Sequence, residues 1–345
     1  MKSYRLVLVG FGNVGKAFVN LLINKQSELA DKYMVEFVIT GIATNRHGFA
    51  IDPDGIPPDK IVSIASRDAN YSVLSKGAPP QDTIELINAC PGDVLLENTP
   101  VNHQTGQPAI DHLKLGLERG MHVITANKGS VVHGFSSLNM LANEKGKLFR
   151  FESAVMDGAP IFSLHRACLP ASRLIGFHGI LNSCTNLLLT RMETGESFED
   201  AVRYAQSIGI TETDPSADID GWDATIKVAA IATVLMDMPL KPQEINRRGI
   251  RGITPAMIRS ANSEDKRWKL VCSARKTKES VSAYVKPEKV GTDSPLYSVN
   301  GTSSYIQFEL DTLPGLGILE SNPGPETTAY GLLTDLINII KESGR

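Results

Sequence analysis

The sequence predicts an α/β protein: a Rossmann-type doubly wound parallel sheet followed by a second, α+β domain. Three observations predict it. The glycine-rich GFGNVG (10–15) stands between the apolar run RLVLV (5–9) and the helix-spaced KAFVNLLINKQSEL, in the strand, turn and helix order of a dinucleotide fingerprint. Further apolar runs, EFVITGIAT (36–44), DVLLENT (93–99) and HVITAN (122–127), have helical stretches such as 107–119 between some of them, and that alternation builds a parallel sheet. After ANEKGKL the texture changes: LFRFESAV and RLIGFHGIL read as strands, and 197–209 and 222–236 as helices.

These elements place a dinucleotide-binding domain at 1–147, and a domain for substrate and catalysis at 148–305. In the segment 306–345, a turn-rich SNPGPET (321–327) leads into the amphipathic TAYGLLTDLINIIKE. Such a helix must bury its apolar face somewhere, and the segment is expected to return to the dinucleotide-binding domain. A length of 345 residues suits two domains, each able to bury a core. A net charge of -3 and a pI near 6.2 offer no positive excess for nucleic acid or an anionic membrane. The start runs straight into YRLVLVG, so no signal peptide is expected. VAAIATVLM (228–236) falls far short of the roughly 20 apolar residues a spanning helix needs. Cys90, Cys168, Cys184 and Cys272 lack CxxC spacing and the histidines lack HExxH, so no disulfide framework, zinc knuckle or transition-metal site is expected. The expectation is a cytoplasmic protein with reduced thiols, acting on a small molecule.

In the fingerprint, Gly10 permits the tight turn, Gly12 lets the backbone approach a pyrophosphate, and Gly15 lets helix and strand pack closely. Asn13 and Val14 open the helix, whose free N–H groups and positive dipole end suit phosphates. NAD sites usually end the second strand on an acid. Here the strand ends IATNRHG, with Arg46 and no acid. A guanidinium welcomes a 2′-phosphate, which favours NADP over NAD, the alternative being a solvated surface arginine.

The densest stretch is GITETDPSADIDGWDATIKVAAIA (209–232), with Glu212, Asp214, Asp218, Asp220 and Asp223 followed by Lys227. Asp223 and Lys227 are i and i+4 on one helix face. An exposed salt bridge beside a solvated acidic loop would explain them in an isolated segment. The apolar VAAIA after Lys227 points instead to a buried helix, where an ammonium beside a carboxylate can be tuned for proton transfer. Hydride delivery to a carbonyl needs a proton on the developing alkoxide; Lys227 can supply it and Asp223 can orient it. The surplus carboxylates suit a substrate ammonium. Lys128, in ITANKGS, follows a strand at its C-terminal end, where doubly wound folds place ligands, although a helix-flanking surface lysine fits that position as well.

In these residues the chain resembles the homoserine dehydrogenases, which interconvert aspartate semialdehyde and homoserine with NAD(P). The resemblance runs over nearly the whole chain, through GFGNVG, TPVNHQTGQPAIDHLKLGLERGMHVITANKG, FESAV, the Asn182–Asn186 stretch, TETDPSADIDGWDATIK and GPETTAYGLLTDLI. The acidic loop with DGWDATIK is its most specific part. The resemblance implies proton transfer by Lys227 with Asp223, and Glu212 and Asp218 near the substrate's amino group. It implies that Asn182 and Thr185 belong to a substrate-lining loop and that Lys128 lies at substrate and nicotinamide. Thr99 and Pro100 would line the nicotinamide pocket, and the loop from Gly324 to Thr327 would return to the cofactor. It further implies a monovalent cation, Na+ or K+, on Glu152 and the carbonyls of Val155, Asp157 and Ala159. A homodimer formed through the second domain and a place in threonine and methionine biosynthesis are implied likewise. At this length no regulatory ACT domain or fused aspartokinase is expected.

Two stretches depart from the family pattern. MDGAP (156–160) puts Asp157 in a glycine cluster, and Asn182-Ser183-Cys184-Thr185-Asn186 stands where Asn-Gly-Thr-Thr-Asn is usual. Both leave room for another amino-acid aldehyde or alcohol as substrate. A dinucleotide-binding regulator is a further alternative, opposed by the joint presence of Glu212, Asp218, Asp223, Lys227 and Lys128. A thioester-forming dehydrogenase would use Cys184 as nucleophile and would need a base beside it. His178 is six residues back, about 20 Å away on a continuing strand. Cys184 therefore reads mainly as a threonine-sized side chain in a substrate-lining loop.

Overall fold

The computed structural model describes residues 1–66, 69–211, 213–278 and 280–343. It divides into two compact units, one of 1–160 with 325–345 and one of 161–324.

The first unit starts with β1 (Lys2–Val9), α1 (Asn13–Tyr33), β2 (Val35–Thr44), β3 (Gly48–Ile51), α2 (Pro58–Ser66) and α3 (Thr83–Ala89). It continues with β4 (Val94–Glu97), α4 (Ala109–Glu118), β5 (His122–Thr125), α5 (Lys128–Glu144) and β6 (Phe149–Arg150). The sheet order is β3-β2-β1-β4-β5-β6. Strands β2, β1, β4, β5 and β6 run parallel, while β3 folds back on β2 as an antiparallel hairpin. The doubly wound sheet is thus present, with an antiparallel edge.

Both faces of the central strands are covered, so their side chains are buried without alternation, as in Leu6 to Val9 and Val94 to Glu97. Helix α1 buries Gly15, Phe18, Val19, Leu22 and Leu29 along one stripe. The C-terminal helix, Pro325–Ser343, packs on α1, adding Leu332, Leu336 and Ile339 to the core of Leu6, Leu8, Phe18 and Ile39. The stretch LFRFESAV forms a strand only at β6, on the edge of this same sheet, and then tightens into a 3-10 turn over Glu152–Ala154. Sequence texture alone puts that stretch in the second domain. Pairing with β5 holds it in the first unit, whose boundary falls at 160 rather than at the expected 147.

The second unit comprises α6 (Ile161–Cys168), β7 (Leu174–Ile180), α7 (Ser183–Glu193), α8 (Phe198–Ser207), α9 (Ser216–Ile219) and α10 (Trp222–Leu235). It goes on through β8 (Asn246–Arg247), α11 (Pro255–Asn262), β9 (Lys266–Lys276), β10 (Val281–Gly291), β11 (Ser304–Leu310) and β12 (Leu316–Glu320). The C-terminal helix already described is α12. The second sheet has the order β12-β11-β7-β9-β10-β8, antiparallel apart from the pairing of β8 with β10. Strand β11 alternates buried and half-buried residues, the pattern of a sheet packed on one face. Because β11 pairs with β7 and β12 with β11, the return to the first unit begins at Pro325, not at 306.

Leu336 is wholly buried in the core shared by α12, α1 and β1. Leu336→Ala should therefore lower the unfolding free energy by about 2–5 kcal/mol. The exposed Met140→Ala on α5 should stay within about 0.5 kcal/mol of the parent. Urea titration of both variants checks the difference.

Candidate active site

The first unit holds the glycine-rich turn and the ends of β1, β4 and β5. Gly10 has φ +82°, and a Cβ there would lie 2.5 Å from the Asn98 carbonyl carbon and 2.6 Å from the Thr99 nitrogen. Only glycine lets the end of β1 come this close to the chain leaving β4. Gly12 is the N-cap of α1, exposed, with no side-chain cap and no acidic residue in the first turn. Asn13 is exposed and Val14 half-buried. An open helix N-terminus behind a glycine that a Cβ would block is a cradle fitted to phosphates. Gly15 is needed for a different contact from the one expected: its Cβ would strike the Phe11 ring at 2.8 Å, not the strand.

Arg46 is exposed in the turn between β2 and β3, and no carboxylate ends β2. Thr99 and Pro100 are fixed from both sides. The fully buried Glu97 accepts from the Thr99 N–H (3.2 Å), the Thr99 hydroxyl and the Thr125 hydroxyl (3.2 Å). Asn127 donates to the carbonyls of Thr99 (3.0 Å) and Pro100 (3.4 Å), while its Oδ1 caps α5 by accepting from Gly129 and Ser130. Lys128, half-buried, is the first residue of that helix. The sequence reading missed Glu97 and Asn127, although an asparagine immediately before a helix is a capping signal.

The segment 152–159 interlocks with the start of α12. Ser153 donates to the Thr328 carbonyl (2.8 Å), and the Glu152 N–H donates to Asp335 (2.7 Å). A Cβ on Gly158 would sit 2.6 Å from the Thr327 carbonyl. Gly324 closes the second unit and Thr327 lies in the first turn of α12, so the helix reaches into the expected loop. Asp157, the departure from the glycine cluster, takes φ +44°. Aspartate tolerates this left-handed region better than most residues, and its carboxylate accepts from the Thr328 hydroxyl at 2.6 Å. Glu152, Val155 and Ala159 are buried.

The second unit holds Lys227 and the acidic stretch. Helix α10 starts at Gly221, whose φ of +81° turns the chain out of α9. From Ala224 to Ile226 and from Val228 to Thr233 it is buried, so it is not a solvated helix. Lys227 and Asp223 stand on its remaining face, 14% and 17% exposed and 3.1 Å apart. The Lys227 ammonium also donates to the Leu181 carbonyl at 2.8 Å.

Leu181 follows β7, and Asn182 caps α7. Asn182 Nδ2 donates to Asp218 Oδ1 (2.7 Å) and to Asp223 Oδ2 (3.0 Å). Its Oδ1 accepts from the Thr185 N–H (2.7 Å) and the Thr185 hydroxyl (2.8 Å). Thr211 donates to Asp218 Oδ2 at 2.8 Å. Burial, then the neighbouring Asp223 charge, raises the Asp218 carboxyl above its ordinary value, against hydrogen bonds from Asn182 and Thr211 that lower it.

The five carboxylates of the acidic stretch therefore part company. Asp218 and Asp223 converge on Asn182. Asp220 binds Arg251 through both oxygens (2.9 and 3.0 Å), and Asp214 accepts from the Ser216 N–H in a turn. Glu212 lies outside the described residues. The Asn182–Asn186 stretch is the first turn of α7, not the expected loop, because Asn182 is an efficient cap. Thr185 is buried with its hydroxyl turned back onto Asn182, and Asn186 binds the carbonyls of Val299, Gly301 and Ser303. Ser183 is an ordinary helical position that needs no glycine.

Cys184 is 2% exposed, and burial followed by the Asp218 charge pushes its thiol far up. Its electrostatic neighbours are Asp218, Thr211 and Asp223. These disfavour a thiolate, so they oppose a nucleophilic role.

Among the described residues, no group of three or more His, Cys, Asp or Glu gathers to hold a metal, and no helix is long and apolar enough to cross a membrane. The homoserine dehydrogenase family model matches 160–337, and the model of that family's NAD-binding domain matches 10–152. A relative from Pseudomonas canavaninivorans, named an NAD(+)-dependent homoserine dehydrogenase, is 31% identical and covers 100% of this chain and 98% of its own length. The homoserine dehydrogenase of Methanocaldococcus jannaschii is 34% identical over 97% of this chain and 98% of the relative. The structure of the Thermoplasma acidophilum homoserine dehydrogenase superposes with a TM-score of 0.84 at 22% identity, covering 99% of this chain and 100% of that one, and so shares the fold. With matches over both units and the length of the chain, this protein belongs to the homoserine dehydrogenase family, oxidoreductases that act on a CH–OH group with a nicotinamide dinucleotide.

Proposed function

We propose that this chain interconverts homoserine and aspartate semialdehyde with Lys227 as the proton carrier. The observation that supports this reading is the largely buried cluster of Lys227 and Asp223 on α10, Asn182 at the cap of α7 and Asp218 on α9. In the oxidation direction Lys227 acts as the neutral amine, takes the hydroxyl proton and becomes the ammonium; in the reverse direction the ammonium gives that proton to the alkoxide oxygen. Asp223 and the Leu181 carbonyl orient its ammonium. The dinucleotide supplies the hydride chemistry when bound. Asp218, with Glu212, receives the substrate's ammonium, and Lys128 meets substrate at the end of β5. Asn182 and Thr185, expected to touch substrate, support the cluster from behind.

The glycine cradle of Gly10, Gly12 and Gly15, with Asn13 and Val14, holds the pyrophosphate, and Thr99 and Pro100 border the nicotinamide. The turn from Gly324 to Thr327 closes on the cofactor. Arg46 supports NADP over NAD, in contrast to the Pseudomonas relative named for NAD(+). Glu152 with the carbonyls of Val155, Asp157 and Ala159 is an oxygen-only donor set, suited to a hard cation such as Na+ or K+. The second unit is the proposed homodimer contact, and the cytoplasm the proposed location.

Purified protein assayed with homoserine and either dinucleotide tests this reading directly, and no turnover with either would refute it. Lys227→Ala should lower kcat by about 10²–10⁴-fold, the usual worth of a positioned acid or base. Cys184→Ala should still turn over, since no step passes through the thiol. Arg46→Ala should raise the KM for NADP about tenfold or more while leaving that for NAD nearly unchanged, as expected for a lost bond to a charged group. Steady-state kinetics with both dinucleotides checks this selectivity.

A further inference from the structure

Two carboxylates side by side repel each other, and one amide group stands between them. An asparagine side chain offers two donor hydrogens and two acceptor positions, and in Asn182 all four are used. The Thr185 N–H requires an acceptor at Oδ1 (2.7 Å), which fixes the amide's orientation and turns Nδ2 toward Asp218 (2.7 Å) and Asp223 (3.0 Å). The helix cap of α7 and the acid pair of α9 and α10 are thus joined through one side chain. Its contacts span 36 and 41 residues of sequence.

We infer that Asn182 is a positioning residue of the reaction: it braces Asp218 and Asp223 against their repulsion, assigning Asp223 to Lys227 and presenting Asp218 to the substrate's ammonium. This rests on the roles proposed above for Lys227, Asp223 and Asp218, and adds the group that keeps those roles apart.

The surroundings of Asp218 define the pH dependence. From α10 it faces Asp223 and Lys227, from α7 Cys184 and Asn182, and from the preceding loop Thr211. Cys272 on β9 adjoins Lys227 and Asp223, and with its thiol raised by burial to about 12 it adds no charge to them at working pH. Asn182 and Thr211 stabilise the charged form of Asp218 by hydrogen bonds, Lys227 does so by its charge, and burial and Asp223 oppose it. Withdrawing the Asn182 donor therefore lets Asp218 hold its proton to higher pH. A protonated carboxyl cannot pair with an ammonium, so the loss appears on the acid side of the profile.

Asn182→Asp separates this role from capping. Aspartate caps a helix as well as asparagine does, so α7 keeps its N-terminus while the shared donor is replaced by a third acid. Asn182→Ser keeps a cap and can donate one hydrogen. The test is kcat/KM for homoserine against pH in the parent and both variants, with dinucleotide KM and melting temperature measured alongside. The acid limb of N182D should move up by about one pH unit or more, a tenfold or greater loss on that side of the profile. N182S should fall between N182D and the parent, and the KM for dinucleotide should hold in both. Acid limbs at the parent's position in both variants would overturn the inference, as would a loss confined to melting temperature or a failure of both variants to fold. A fault in the underlying roles reads differently: Lys227→Ala would retain turnover, whatever the Asn182 profiles show, and would overturn this inference with them.

Discussion

Lys227 rises from a helix whose neighbouring side chains are almost all withdrawn from water, and its ammonium must find partners close by. It finds the Asp223 carboxylate one turn back and the Leu181 carbonyl at the end of β7. The ammonium therefore ties α10 to the β7–α7 junction. An unpaired ammonium in this position would cost several kcal/mol, so burial of the helix and its chemistry are linked. The hydrophobic run that packs α10 also makes the single lysine and its acid partner hold a defined geometry. The same junction places Asn182, which caps α7 with one end of its amide and braces the acid pair with the other.

The glycine turn of the first unit follows a comparable logic at backbone level. Gly10 lets β1 and β4 end against each other, and that approach puts the glycine turn beside Thr99. Glu97 and Asn127 then fix Thr99 and Pro100 by hydrogen bonds from two strand ends, so the position of these residues is set by buried polar groups. Each of these groups has its partners inside the first unit. Buried polar networks specify geometry when they are satisfied in this way.

Local signals carried much of this in the sequence. The glycine turn, the strand endings and the i,i+4 pair of Asp223 and Lys227 are short-range patterns, and they form where the spacing predicts. The amphipathic C-terminal helix was legible as needing a partner, and it joins the core of the first unit. The rest depends on long-range pairing. Asn182 meets Asp218 and Asp223 only after β7, α9 and α10 are assembled, and nothing near it in sequence announces two carboxylates. The strand at Phe149–Arg150 looks like the second domain in composition, yet pairing with β5 claims it for the first. Cys184 resembles a nucleophile in a polar tetrad until its burial and acidic neighbours are known.

The proposed movement of the proton by the Lys227 side chain is tested most directly by chemical rescue. Lys227→Ala would be assayed for homoserine oxidation with a series of small primary amines added at fixed pH. Amines should restore part of the lost kcat, more strongly as their basicity rises, with the dinucleotide KM unchanged. Turnover near the parent's rate without any amine would contradict it.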